Sequence, residues 1–213
     1  MCLKIVLLTI TVACAVTMGQ GNRRTSPILP SQGGSVEITV NPLDAISSLE
    51  DMAAKADLIV QGSVERVLPS RFRDPSLPGT IETDSLFAIQ SVLSGEDRSP
   101  NGRILISQMG GTSGDFVATV PQDTLLSEGQ EYFLFLDRET RDLPNSTGAP
   151  RYIISGVWKG KVPVAKVSGR AAFSLAPNDA PNRDATLSQF EVEEFATRAK
   201  AAALAKGVIV PRQ

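Results

Sequence analysis

The chain has no histidine, and both of its cysteines, Cys2 and Cys14, lie ahead of residue 15. Without imidazole a Ser-His-Asp triad is impossible, and so is a zinc centre with histidine ligands. Once the N-terminal segment is removed, thiolate chemistry, haem ligation and disulfides go with it. Only hard-cation sites built from carboxylates stay open, and neither a metal nor a cofactor is expected. An excess of one charge is also lacking. Lys and Arg number 21 against 23 Asp and Glu, a net −2, so no field arises that demands nucleic acid or anionic lipid. Aromatic residues are few, with a single tryptophan. Internal repeats are absent.

What is present begins with an export signal. Lys4 supplies a positive start, Ile5 to Val12 is an apolar run broken only by threonine, and small residues follow from Ala13. That layout is a secretory signal peptide. The run falls well short of the roughly 18 residues that span a bilayer, and nothing after it is apolar enough for a transmembrane segment. Cleavage fits after Ala15 or after Gly19, and lipid attachment at Cys14 is the alternative. The expected location is secreted or periplasmic, or lipid-anchored through Cys14.

The remaining chain suits one domain with appendages. Residues 1–19 are the signal peptide and 20–40 a flexible Gly-, Ser- and Pro-rich lead-in, with a short strand at Ser35–Val40. Residues 41–176 form a β-barrel domain with a leading helix, and 177–207 a linker and a C-terminal helix. The leading helix is predicted from Asn41, with Pro42 at its first position and Ile46, Leu49, Met52, Ala53 and Ala56 as its apolar stripe, to Asp57. Strands are predicted at Leu58–Leu68, Thr83–Leu93, Arg103–Gln108, Glu131–Asp137, Tyr152–Ser155, Lys161–Val167 and Arg170–Leu175. Gly62 on an apolar strand face marks a bulge or a close approach of another segment. In Tyr132–Leu136 five apolar side chains stand in a row, the mark of a strand buried on both faces. Each contributes on the order of 1.5–3 kcal/mol on burial. The last helix is predicted over Leu187–Lys206, from the Thr186/Gln189 capping spacing to the stop at Gly207.

Short strands with glycine-marked bends and a helix at either side describe a small antiparallel barrel. A two-sheet sandwich is the competing architecture. The order of Ala56-Asp57-Leu58-Ile59-Val60-Gln61-Gly62, Phe87-Ala88-Ile89, Ile104-Leu105-Ile106, Gly129-Gln130-Glu131-Tyr132-Phe133 and Gly156-Val157-Trp158-Lys159-Gly160 resembles a group of uncharacterised bacterial exported proteins. More distantly it resembles the OB-type barrel of netrin-like domains and tissue inhibitors of metalloproteinases. The resemblance covers residues 56–175 and implies a fold, mainly β and OB-like, rather than a function. Those inhibitors reach the protease zinc through an N-terminal cysteine, which the processed chain lacks, so that activity does not carry over.

Candidate site residues follow from exposure and chemistry. Arg71, Phe72 and Arg73 sit in the loop after the first barrel strand, where such barrels hold oligomeric ligands; the plainer reading is a solvated loop with Phe72 plugging the barrel mouth. Trp158, with Lys159 and Lys161 beside it, is a contact residue if exposed and a core ring if not. Gln108 to Asp115 is a glycine-rich inter-strand turn without the lysine or helix of a phosphate loop. Asp115, Asp123 and Asp137 stand at strand ends, and spacing alone does not bring them together.

The expected function is an exported, non-enzymatic binding module for a protein or polymeric ligand outside the cytoplasm, with no nucleic acid. A carboxylate-dependent envelope hydrolase and a structural lipoprotein are the alternatives. Mass spectrometry of the processed chain is expected to find Val16 or Gln20 at the N-terminus; an acylated Cys14 would instead identify the lipoprotein.

Overall fold

A computed structural model describes residues 34–38, 46, 48–74, 80–96, 99, 101–141, 147–165, 168, 170–173 and 188–205. The expected signal peptide and the expected helix cap at Asn41 lie outside these residues. Strand makes up 50% and helix 19%, which fixes the class as mainly β.

The strands are β1 (Ser35–Glu37), β2 (Leu58–Val67), β3 (Arg71–Phe72), β4 (Ile81–Ser94), β5 (Arg103–Met109), β6 (Gly111–Ser113), β7 (Phe116–Thr119), β8 (Glu131–Arg138), β9 (Arg151–Ile154), β10 (Lys161–Pro163), β11 (Arg170–Phe173) and β12 (Ser188–Glu191). The α-helices are α1 (Leu49–Lys55) and α2 (Val192–Ala205), and Val157–Gly160 form a single 3-10 turn. Strand β2 pairs with β4, β4 with β5, β5 with β9, β9 with β8 and β8 with β2, which closes a five-stranded barrel. All these ladders are antiparallel except β5 with β9. First strand beside fourth, and third parallel to fifth, is the connectivity of an OB-type barrel.

The run in β8 holds the two halves of the core together. Because side chains alternate across a strand, Phe133 and Phe135 face outward to α1 and α2, and Tyr132, Leu134 and Leu136 face the barrel interior. Outside, Phe195 of α2 meets Phe133 at 4.8 Å and Phe135 at 6.3 Å between ring centroids. Inside, Leu58, Val60, Val64, Phe87, Ile104, Ile106 and Tyr152 fill the barrel. A third, smaller cluster of Ile38, Ile81, Ala118 and Val120 sits under the β1-β7-β6 sheet, with Phe72 edge-on to Phe116.

Two helix boundaries differ from expectation. Helix α1 starts at Leu49 because the Ser48 side chain accepts from the Asp51 N–H at 3.0 Å and caps it there. Residues Ser188–Glu191, expected as the first turn of the last helix, form β12 instead. They pair antiparallel with β11, and Arg170 bridges Glu191 at 3.0 Å. A local capping spacing lost to a partner strand that sequence could not align with it. The segment expected as a glycine-rich turn is also more regular, since Gly111–Ser113 and Phe116–Thr119 form the hairpin β6–β7. No helix among the described residues is long and apolar enough to cross a membrane.

Gly62 is a position of close approach, at a register shift between β2 and β4. A Cβ there would stand 2.0 Å from the Ala88 carbonyl oxygen and 2.7 Å from the Phe87 ring. Gly62→Ala is therefore expected to destabilise the fold by about 3 kcal/mol, since neighbouring backbone must move; urea denaturation of the two proteins measures it, and equal midpoints would contradict the packing described.

Candidate functional site

A cleft of about 530 Å³ opens beside barrel strands β4, β5 and β9. Its floor comes from Thr80 just ahead of β4, Glu82 at the start of β4, and the end of β5 (Ser107, Gln108, Met109). The connection between β2 and β4 supplies Arg73 and Asp74 to one lip, and the connection between β8 and β9 supplies Glu139 and Arg141 to the other. Val120, Asp123, Ile153, Ile154 and Val157 complete it.

The polar half of the cleft is an ionic cluster rooted in β4. Glu82 and Asp84 are two residues apart on one face of that strand, both almost fully buried. Such charges persist in an interior only when paired. Arg71 on β3 reaches Asp84 at 2.5 Å and Glu82 at 3.6 Å, while Arg151 on β9 reaches Asp84 at 2.9 Å. Ser107 donates its hydroxyl to Asp84. Arg141 bonds Glu82 at 3.2 Å and also bonds Glu139. Arg73 is the outermost member, 40% exposed, and its guanidinium makes one ion pair among the described residues, at 3.6 Å to Glu82. Arg71 Nη2, Arg141 Nη1 and Glu82 Oε2 have no hydrogen-bond partner there.

Burial pushes the Glu139 carboxyl upward, but the Arg141 side chain and backbone N–H, with the charges of Arg141 and Arg73, outweigh it. The net effect holds Glu139 below its ordinary value of 4.5.

The apolar half is the wall made by Met109, Val120, Ile153, Ile154 and Val157. Ile153 is 37% exposed, and neither it nor Val157 belongs to any of the three core clusters among the described residues. Val157 also carries a φ of +60°, the one positive φ on a described residue other than glycine. A β-branched side chain is strained in that region. The turn around it is tightly determined. At Gly156 a Cβ would meet Ile46 at 2.5 Å, at Gly160 it would meet the Ser155 carbonyl at 2.3 Å, and Lys159 donates to the Ile46 carbonyl at 3.0 Å.

The residues singled out from sequence are dispersed around this cleft. Arg73 lines it, whereas Arg71 turns into the ionic cluster behind it. Phe72 packs on Phe116 in the third core cluster, not across the barrel mouth. Trp158 is 9% exposed, the core-ring alternative. Lys159 is spent on Ile46, and Lys161 is buried on Asp123 at 2.6 Å and the Thr124 carbonyl. Of Asp115, Asp123 and Asp137, only Asp123 reaches the cleft, closed by Lys161 and by Gln108 at 3.2 Å.

Sequence reading missed Glu82, Asp84, Glu139, Arg141, Ile153 and Val157. One signal was there: Arg71 and Arg73 share the two-residue spacing of Glu82 and Asp84, as cross-strand partners would. No family model matches the chain, and no curated protein matches it. Fold and cleft define an OB-type barrel with a formed pocket on the face where such barrels carry ligands.

The lowered Glu139 pKa stabilises the ionised fold. That contribution is complete above the unfolded value of 4.5 and is lost as pH falls through the lower folded value. In Arg141→Gln, burial is left with less opposition, and the Glu139 pKa is expected to rise. Carboxyl NMR titration of both proteins tests this, and an unmoved Glu139 would show that Arg141 is not what holds it.

Proposed function

We propose that this chain is an exported binding module without catalytic activity that holds its ligand in the cleft between the β2–β4 and β8–β9 connections. The observation that carries it is the place of the cleft. It lies over the second and third barrel strands and between the two loops with which OB-type barrels take oligomeric ligands. Export rests on the Lys4 to Ala15 pattern, and kinship to netrin-like domains rests on strand order and turn spacing. Fold alone does not assign a ligand.

A carboxylate hydrolase has less support. It needs one acid kept protonated near neutral pH. Glu82 and Glu139 do meet in the cleft, but they meet on the same guanidinium, Arg141, and Glu139 is held below the usual carboxylate range. Asp84 and Asp123 touch Arg71 and Lys161 in the same way.

A photo-crosslinking side chain placed at Ile153 in the producing cell tests the reading. Val92 is equally exposed, 37% for each, and stands ten residues along β4 from Glu82, about 30 Å by strand rise. Adducts are expected from position 153 and not from position 92. Equal yields from both, or none from 153, would remove the cleft as the binding site.

A further inference from the structure

Part of the aliphatic wall has no core-packing role that accounts for it. Ile153 and Val157 lie outside the core clusters among the described residues, yet both face the cleft. Glycine or asparagine would occupy a φ of +60° at lower cost than valine. Keeping a strained valine here presents an aliphatic side chain beside Ile153, Ile154, Val120 and Met109, which together make a surface for an apolar body. The wall has no aromatic ring for stacking a base or a sugar.

The polar end has a surplus of donors. Among the described residues the Arg73 guanidinium, 40% exposed, has its 3.6 Å ion pair alone, and Arg141 Nη1 lacks an acceptor. Three acids each have a cationic partner: Glu139 on Arg141, Asp123 on Lys161, and Glu82 on Arg141 and Arg71. One acceptor, the buried Glu82 Oε2, lacks a hydrogen bond, against several guanidinium N–H groups that lack one too. Asp74 stands on the same lip, so the surplus is one of N–H groups and not of net charge. A group with oxygen acceptors and no donors answers it.

Resting on the binding reading above, we propose that the cleft takes an acyl group: an aliphatic chain along Ile153, Val157 and Met109 whose carboxylate or ester oxygens accept from Arg73 and Arg141. The free acid and an acyl ester share this chemistry.

Trp158 follows Val157 directly and is the only tryptophan, so its emission reports on the wall. The full processed chain is titrated with octanoate, with the glycerol monoester of octanoate, and with octylamine, which has the same chain length and a donor-only cationic head. Both acyl probes are expected to change the emission, octylamine binding at least about tenfold more weakly. A preference for octanoate over its ester identifies the free acid, and the reverse identifies the ester. Arg73→Gln is expected to weaken octanoate about fivefold and to leave octylamine no weaker, whereas a loss of cleft shape would weaken both. Val157→Gly is expected to weaken both acyl probes while leaving Tm equal or higher, because the positive φ is relieved; a plain loss of fold would lower Tm. Octylamine binding as tightly as octanoate, or Val157→Gly binding both probes as before, would overturn the assignment. If no probe binds while position 153 still forms adducts in the cell, the acyl class is wrong and the cleft stands. Loss of those adducts as well removes both.

Discussion

The fold depends on one strand being used twice. Strand β8 lies between β2 and β9 and so closes the barrel, and its alternating side chains serve two cores at once. Phe133 and Phe135 receive the helices outside, and Tyr132, Leu134 and Leu136 fill the inside. No disulfide is available to the described residues, which contain no cysteine. Closure therefore relies on apolar burial and on ladders that leave β8 without a free edge. The helices are secondary to it: α1 and α2 lie against the outer face of this strand, joined to each other by Arg198 and Glu50 at 2.9 Å.

A closed barrel of this size is filled by its own side chains, which limits open space to its ends and flanks. The start of β4 meets that limit with charge. Glu82 and Asp84 are buried among guanidiniums drawn from β3, β9 and both bordering connections. Ion pairs of this kind add little net stability, because desolvation cancels much of the attraction, yet removing one partner is costly. Their effect is to fix the two lips at set positions over the floor. In the same arrangement, against the upward push of burial, the Arg141 side chain holds the Glu139 carboxyl below its ordinary value.

Much of the barrel was legible because strand signals are local. Alternation in Leu58–Val67, the double-sided run in Glu131–Arg138 and the glycine at 62 each report on the immediate neighbourhood of the backbone. Errors fell where local and distant preferences compete. Thr186 and Gln189 have capping spacing, but Ser188–Glu191 are taken by β11, and Ser48 starts α1 later than Asn41 would. The candidate site was less legible. Arg73 was found as an exposed cation after a strand, whereas Ile153 and Val157 look like any aliphatic residues near a strand end.

The sequence by itself determined the absence of imidazole chemistry, the mainly β class and the strand that anchors the core, since composition and period-two patterning are properties of the chain before it folds. Only the tertiary structure decided that Arg141 and Arg73 share Glu82, that Trp158 is inside, and that Val157 is held at positive φ in a cleft wall. Each of those facts joins segments far apart in the chain, and no local spacing encodes which distant groups closure of the barrel brings together.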